Sequence, residues 1–103
     1  MHDNPKKIFI SGAMTGIQDF NRPSFHKVAK AIIDQGHIPL NPAVLPDGLA
    51  TLEYYKICGE MLKCCDFIVL IPGWENSKGA VHEMALAEDC GIPIFEYEIL
   101  IGG

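Results

Sequence analysis

The sequence predicts an α/β fold built on a parallel β-sheet. Three observations support this prediction: strand-like and helix-like segments alternate, short loops join them, and the most apolar strand-like segment lies well inside the chain. Such an alternation produces right-handed βαβ units, in which helices cover both faces of the sheet. A chain of 103 residues has room for one domain of this kind. We therefore expect a single domain over residues 1–103, a flavodoxin-like or Rossmann-like three-layer sandwich with four to five parallel strands.

The first half of the chain contains two predicted strands with a helix between them. The first strand is Lys7–Ser11, a short β-rich run that ends at the loop of residues 12–16, and the second is His37–Pro42. Between them, Pro23 suits the first turn of a helix and Gly36 suits its C-terminal cap. The apolar residues of this helix recur at helical spacing and are predicted to face the core: Phe25, Val28, Ala29, Ile32 and Ile33.

The second half of the chain repeats the alternation. A loop rich in Pro and Gly leads to a helix from about Thr51 to Cys65, and a third strand follows in residues 66–72. This strand, DFIVLIP, is the most apolar, as expected of a central strand buried on both faces. A helix in residues 77–91 and a fourth strand in residues 92–97 complete the pattern, and the tail 98–103 either adds a fifth strand or packs against the domain. Partial or complete burial is predicted for five apolar residues of the Thr51–Cys65 helix: Leu52, Tyr55, Ile57, Met61 and Leu62.

Three loops of the predicted fold meet at one edge of the sheet. In open parallel sheets, ligands bind beyond the carboxyl ends of the strands, where the strand order reverses. The loops at residues 12–16, 41–48 and 72–79 each follow a predicted strand and therefore share that edge. We expect the functional site to lie there.

The charge of the chain argues against two classes of partner. With 13 acidic and 8 basic residues, the net charge is -5, whereas a nucleic-acid-binding protein needs a basic surface. The apolar runs are too short to span a bilayer, so no membrane partner is expected. A small anionic ligand remains compatible with this charge, because backbone N–H groups at a helix N-terminus bind phosphate without any lysine.

The cysteines and histidines give no metal-site pattern. Cys58, Cys64, Cys65 and Cys90 form no CxxC pair, and the four histidines are scattered. The first residues are polar and lead directly into a strand, so no signal peptide is expected. We therefore expect reduced thiols in a cytoplasmic protein, with no metal and no other cofactor.

The start of the last helix contains a glycine where a helix former is expected. If Ser77 caps this helix, Gly79 lies inside it, where glycine costs about 1 kcal/mol relative to alanine. Glu83 follows four residues later and shares a helical row with Gly79. Helical side chains lean toward the N-terminus, so we expect Glu83 to point over Gly79 into the crevice.

A carboxylate in this position suits the cleavage of a glycosidic bond. The positive end of the helix dipole favours an ionised Glu83, which can attack or stabilise the positively charged sugar carbon. The alternative is a solvated glutamate near a helix N-terminus, where acidic residues are common.

Three segments together resemble the nucleoside 2-deoxyribosyltransferase-like superfamily, and in particular its small phage and bacterial branch. They are IFISGAMTG at residues 8–16, NP at residues 41–42, and CDFIVLIPGWENSKGAVHEMALA at residues 65–87. The resemblance covers residues 7–97, and its most specific element is the Ser-x-Gly-x-x-x-Glu motif that begins at Ser77.

The resemblance implies a role for each member of this motif. In the related 2′-deoxynucleoside 5′-monophosphate N-glycosidases, the serine contacts the substrate phosphate and the glutamate is the nucleophile. This implies that Glu83 is catalytic and that Ser77 binds substrate, with Gly79 beside them. Transferases that act on unphosphorylated nucleosides usually have an aspartate in place of Ser77, so a nucleotide is the favoured substrate here. Relatives form dimers or larger assemblies, which implies a homodimer or higher oligomer.

Further substrate contacts are predicted on the same rim. The loop after the first strand resembles the family's other phosphate-side loop, and its amides can cradle an anion. Trp74 either stacks on a nucleobase or covers the core, and Asn41 contacts a sugar hydroxyl or satisfies a turn. The predicted substrate-binding residues are Ser11, Gly12, Met14, Gly16, Asn41, Trp74, Ser77 and Gly79.

Two positions depart from the family's pattern and support a second hypothesis. The family has a tyrosine where this chain has Phe9, and an aspartate that protonates the leaving base where it has Cys58. The first hypothesis is an N-glycosidase or N-deoxyribosyltransferase, and the alternative is a catalytically degenerate module that binds or sequesters a nucleotide. A phosphoribohydrolase of the lysine-decarboxylase-like type ranks last, because its Pro-Gly-Gly-x-Gly-Thr motif is missing.

Overall fold

The computed structural model describes residues 4–98 and contains, within that range, four strands and three α-helices in strict alternation. The first strand has its predicted bounds, and the other elements are slightly shorter than predicted. Residues 99–103, the greater part of the tail for which a fifth strand is one expectation, lie outside the described residues. The elements are β1 (Lys7–Ser11), α1 (Arg22–Asp34), β2 (Ile38–Leu40), α2 (Thr51–Lys63), β3 (Phe67–Leu70), α3 (Lys78–Asp89) and β4 (Ile94–Glu96).

The four strands form one parallel sheet in the order β2-β1-β3-β4. The chain moves from β1 to β2 on one side and then crosses back to β3 on the other. The strand order therefore reverses between β1 and β3, whose last residues, Ser11 and Leu70, are paired in register. The carboxyl ends of these two strands mark the place where an open parallel sheet binds its ligand.

Side chains alternate between the two faces of β1 and β3, and each face has its own core. On one face the central strands pack against α1, and on the other face they pack against α2 and α3. The first core contains Ile8, Ile10, Phe25, Val28, Ala29, Ile32, Ala43, Val69 and Ile71. The second contains Phe9, Cys58, Leu62, Cys65, Ile68, Leu70 and Ala87. This three-layer arrangement confirms the predicted α/β sandwich, with β3 as a central strand.

Three of the residues predicted to be buried lie at the surface. Ile33 is 60% exposed, because α1 presents a narrow stripe to the sheet and Ile33 is one residue, about 100° around the helix, beyond the buried Ile32. Leu52 is 72% exposed and Ile57 is 37% exposed. Both lie outside the stripe through which α2 contacts the sheet, which is formed by residues 58, 59 and 62.

Asp66 precedes β3 at the amino end of the sheet, opposite the candidate site. Its Oδ2 accepts a hydrogen bond from the backbone N–H of Lys7 at 2.8 Å, and this bond lowers the pKa of the Asp66 carboxyl group. Asp66 therefore ties the start of β3 to the start of β1. Within residues 4–98, none of the helices has the length and apolar character needed to cross a membrane.

Candidate active site

A cleft of about 630 Å³ opens at the carboxyl ends of β1 and β3. Its walls include residues from all three loops that the sequence places on this rim, with Gly12 and Met14 from the first, Pro42 and Leu45 from the second, and Asn76 from the third. The first residues of α2 and α3 complete the lining. The chain thus folds so that the sheet edge, the predicted loops and the N-terminus of α3 enclose one space.

Ser77 fixes the beginning of α3 at this cleft. Its backbone is extended, and its hydroxyl accepts a hydrogen bond from the N–H of Ala80 at 3.1 Å, which is the predicted N-cap geometry. Ser77, Lys78 and Gly79 all line the cleft. The unpaired amides of the first helical turn and the Lys78 side chain therefore give this part of the wall a positive character.

Glu83 lies one turn further along α3 and lines the same cleft as Gly79, in agreement with the shared helical row. The Ser11 hydroxyl donates a hydrogen bond to Glu83 Oε1 at 2.6 Å. Cys58 of α2 lines the same cleft, and its side chain lowers the pKa of the Glu83 carboxyl group. The Ser11 hydroxyl therefore holds the carboxyl group while Glu83 remains half-buried at the cleft wall.

Burial controls the ionisation of Glu83. It raises the pKa of the Glu83 carboxyl group from 4.5 to about 7, although Ser11 and Cys58 act in the opposite direction. The helix dipole, which favours an ionised Glu83, is therefore opposed by desolvation of the carboxyl group. Burial, followed by the nearby Glu83 charge, raises the pKa of the Cys58 thiol to about 12. The Cys58 thiol is consequently neutral.

Gly12 and Gly79 both line the cleft, but only one of the two positions needs a glycine for packing. A Cβ on Gly12 would lie 2.9 Å from the Cβ of Ile71, so glycine allows the ends of β1 and β3 to approach closely. A Cβ on Gly79 would lie 3.8 Å from both Ser77 Oγ and Tyr55 Cε1, which is ordinary contact. Gly79 is therefore not required by packing, and a methyl group there would occupy the wall of the cleft.

Ser11, which was predicted to contact substrate, is fully buried and does not line the cleft. As the last residue of β1 it points to the same face as Phe9, beneath α3, where its hydroxyl reaches Glu83. From the loop that follows, Gly12 and Met14 line the cleft. Gly16 does not line it and instead has a φ of +83°, so its role is to turn the chain.

For Asn41 and Trp74, the structure agrees with the second of the two roles that the sequence left open. Asn41 Oδ1 accepts the N–H of Ala43 at 2.9 Å and its Nδ2 lies 3.2 Å from His26 Nδ1, so it satisfies a turn. Trp74 packs against the core under α2 and α3 and does not line the cleft. Its indole N–H is buried and has no hydrogen-bond acceptor among the described residues. Trp74 covers the core, because the turn at residues 73–76 directs the indole away from the cleft.

The cleft contains an exposed aromatic side chain that the sequence pattern did not reveal. Phe20 is 46% exposed and lines the cleft. It lies in a run of three non-glycine residues with positive φ, Asp19 at 52°, Phe20 at 51° and Asn21 at 61°. The Arg22 guanidinium lies over the Phe20 ring, 5.1 Å from its centroid. No periodicity marks this loop, so only a turn-forming composition was visible in the sequence.

Arg22 is itself held at the mouth of the cleft by two carboxylates. It forms ion pairs with Asp19, at 3.2 Å, and with Asp47. Arg22, Asp47, Tyr54 and Tyr55 all line the cleft, and none of them was predicted as a site residue. The Arg22–Asp47 pair joins the first residue of α1 to the loop before α2 at the mouth of the cleft.

A comparison with protein families identifies the domain. Residues 6–96 match the family model described as Domain of unknown function (DUF4406). This chain belongs to the DUF4406 family. A comparison with curated proteins found no match to this chain.

Two solved structures have the fold of this DUF4406 domain. The 2-deoxyribosyltransferase from Leishmania mexicana matches with a TM-score of 0.72 at 21% sequence identity, over 89% of this chain and 63% of that chain. The 2-deoxyribosyltransferase from Bacillus psychrosaccharolyticus matches with a TM-score of 0.68 at 17% identity, over 87% of this chain and 70% of that chain. These matches show that the domain has the fold of the two 2-deoxyribosyltransferases. The DUF4406 domain spans less than two thirds of the Leishmania mexicana protein.

Substitution of the two glycines by alanine should change stability in opposite directions. Gly12→Ala should lower the free energy of unfolding by about 1–3 kcal/mol, because the Cβ of Ile71 cannot move without shifting β3. Gly79→Ala should raise it by up to ~1 kcal/mol, because alanine favours the helix and its methyl group meets no clash. Denaturant unfolding of both variants beside the wild type measures the two effects. Equal losses in both variants would contradict this account of Gly79.

Replacement of Glu83 by glutamine should stabilise the protein more at pH 8 than at pH 5. The folded-state pKa is raised, so the contribution of Glu83 to stability is complete below pH 4.5 and is lost as the pH rises through about 7. Glutamine cannot ionise, and the advantage of Glu83→Gln should therefore grow by about 2–3 kcal/mol between these pH values. The measurement is urea unfolding at both pH values, with the exposed Glu88→Gln on the same helix as the matched control. An advantage that does not change with pH would show that the carboxyl group is solvated.

Proposed function

We propose that this DUF4406 domain is an N-glycosidase or N-deoxyribosyltransferase that cleaves the base–sugar bond of a (deoxy)nucleoside 5′-monophosphate. The observation that carries the proposal is the Glu83 carboxyl group, fixed at the wall of a cleft of about 630 Å³ by a hydrogen bond of 2.6 Å. A cleft of this volume falls within the range of small-molecule sites. Glu83 is the nucleophile.

The reaction needs a carboxylate that can bond to the sugar and later leave it. An oxygen of ionised Glu83 forms a bond to C1′ while the bond from C1′ to the base nitrogen breaks. The base leaves with that electron pair and takes a proton from solvent. Water then adds to C1′ and releases a proton, the ester bond to Glu83 breaks, and the carboxylate is restored. In a transferase a second base takes the place of water.

The N-terminus of α3 supports the phosphate end of the substrate. Ser77, Lys78 and Gly79 line the cleft beside the unpaired amides of the first turn, and a phosphate there meets the positive end of the helix dipole. Because Glu83 lies one turn further along α3, the sugar carbon and the phosphate can both contact the same helix. This arrangement favours a nucleotide over a nucleoside.

The aromatic side chains of the cleft are suited to binding the base of the substrate. The Phe20 ring has Arg22 over one face and remains 46% exposed, so a planar base can stack on its free surface. Tyr54 and Tyr55 add aromatic surface from α2. Phe20 thus takes the role that the sequence analysis considered for Trp74.

The similarity in fold agrees with glycosyl transfer in general. The two solved structures compared above are 2-deoxyribosyltransferases. Their sequence identities of 21% and 17% leave the substrate and the nucleophile of this domain to be proposed from its own residues.

One observation favours the alternative, a module that binds a nucleotide without cleaving it. Among the described residues that line the cleft, the carboxylic acids are Glu83 and Asp47, and Asp47 is paired with Arg22. The Cys58 thiol is 6% exposed, and its pKa of about 12 makes it a poor acid for protonating a departing base. An enzyme with this site depends on solvent to protonate the departing base, whereas a module that only binds the nucleotide needs no such proton.

Base release from nucleotides distinguishes the two functions. We expect free base when the wild type is incubated with a panel of deoxyribonucleoside and ribonucleoside monophosphates, measured by chromatography. Glu83→Gln should reduce the rate on the order of 10³-fold or more, because an amide is not a competent nucleophile. Glu88→Gln, on the exposed side of the same helix, is the matched control and should keep the wild-type rate. Equally tight binding by wild type and Glu83→Gln, without base release, would identify the binding module.

The role of Phe20 is tested with ligands that have or lack a base. Phe20→Leu should weaken binding of a nucleoside monophosphate by roughly 5- to 150-fold, the equivalent of ~1–3 kcal/mol of stacking. Binding of deoxyribose 5-phosphate should stay the same, because this ligand has no base. Trp74→Phe is the matched control, since Trp74 packs in the core. A loss of nucleotide affinity in Trp74→Phe and not in Phe20→Leu would place the base on the indole. Calorimetric titration measures these affinities.

A further inference from the structure

Two buried residues accompany the Glu83 carboxyl group: Ser11 donates a hydrogen bond to it, and Cys58 lines the same cleft. Ser11 ends β1 and is fully buried, and Cys58 lies in α2 and is 6% exposed. The three side chains come from three elements that meet under the cleft. Both residues are distant in sequence from Glu83, and Ser11 is separated from it by 72 positions.

We propose that Ser11 is a positioning residue for Glu83, a neutral donor that holds its carboxyl group in one orientation, and that Cys58 is its neutral neighbour on α2. The inference rests on the proposed function, because it assigns the control of the nucleophile in that same site. It adds a residue, Ser11, that acts through Glu83 and needs no contact with substrate.

The hydroxyl of Ser11 has the geometry of a strong donor. Its Oγ lies 2.6 Å from Glu83 Oε1, a length typical of a hydroxyl that donates to a charged carboxylate. Ser11 is paired with Leu70 in the sheet, and its carbonyl accepts the N–H of Ile71 at 2.8 Å. The backbone that carries the hydroxyl is thus fixed between β1 and β3. Because one carboxyl oxygen is engaged by Ser11, rotation of the Glu83 carboxyl group breaks a buried hydrogen bond.

Cys58 complements Ser11 from the helical side. Its thiol stays protonated because burial and the Glu83 charge raise its pKa to about 12, so it can donate a proton to a hydrogen bond over the whole working range. Cys58 therefore supports the nucleophile and takes no part as an acid.

Among the groups around the cleft, Ser11 and Cys58 are the ones that favour the charged form of Glu83. Burial raises the pKa of Glu83, and Ser11 and Cys58 lower it. Arg22 and Asp47 are paired with each other across the mouth. The other ionisable side chains that line the cleft within the described residues are Tyr54 and Tyr55 from α2 and Lys78 from α3. Loss of either side chain should therefore leave Glu83 harder to ionise.

The experiment measures the ionisation of Glu83 directly in the full chain. Glutamate labelled with ¹³C at the carboxyl carbon is titrated by NMR in the wild type, Ser11→Ala, Cys58→Ala and Cys58→Ser, with Glu83→Gln used to assign the signal. We expect the titration midpoint to rise by about one pH unit or more in Ser11→Ala and by less in Cys58→Ala. Cys58→Ser should stay near the wild type, because the serine hydroxyl also donates. Cooperative unfolding of each variant verifies that the fold is intact.

The pH profile of base release gives the matching functional readout. Ser11→Ala should lower kcat about tenfold at pH 6 and recover most of the loss at pH 9, with KM nearly unchanged. An unchanged midpoint in both alanine variants overturns the inference, whatever the activity. Absence of base release in the wild type would overturn the proposed enzyme, while the NMR titration would still test the two residues. If Ser11→Ala does not fold, Cys58→Ala and Cys58→Ser decide the result by the same criterion.

Discussion

The hydrogen bond between Ser11 and Glu83 is the contact on which the architecture of the site depends. It joins the carboxyl end of β1 to the second turn of α3, and it lies on the face of the sheet covered by the second, otherwise apolar core. A carboxyl group withdrawn from water costs free energy, and one strong donor offsets only part of that cost. The pKa of Glu83, raised to about 7, is the net result of desolvation and hydrogen bonding. Stability and reactivity are therefore set by the same contact.

The fold was predictable because its signals are local and periodic. The apolar run of β3, the helical spacing of α1 and the short loops fix the order of elements, and the right-handed crossover rule then gives three layers. The width of a buried stripe is not a local property. Ile33 satisfies helical spacing but is 60% exposed, because the position of the sheet relative to α1 decides which edge of the stripe is covered.

The same distinction explains which parts of the site could be predicted. Ser77, Gly79 and Glu83 lie on one helix, so their relative positions follow from helical geometry and a cap. The predictions for Ser11, Asn41 and Trp74 rested only on their positions in loops or at strand ends. The direction of these side chains depends on contacts in the folded chain, which the sequence does not show. Phe20 was missed for a related reason, since its left-handed backbone has no signature in a loop of ordinary composition. The ionisation of Glu83 depends on burial, which only the packed structure defines.

Gly79 and Glu83 each reduce the stability of the domain without a structural need. Glycine in the first turn of α3 costs about 1 kcal/mol relative to alanine, although a Cβ there would find its nearest neighbours at 3.8 Å. A glutamate at position 83 carries a carboxyl group into a partly desolvated wall, where an apolar residue would fold more readily. Both departures face the same cleft. Two independent local costs at one site, with no packing reason for either, are the pattern expected where a sequence is constrained by chemistry and not by folding alone.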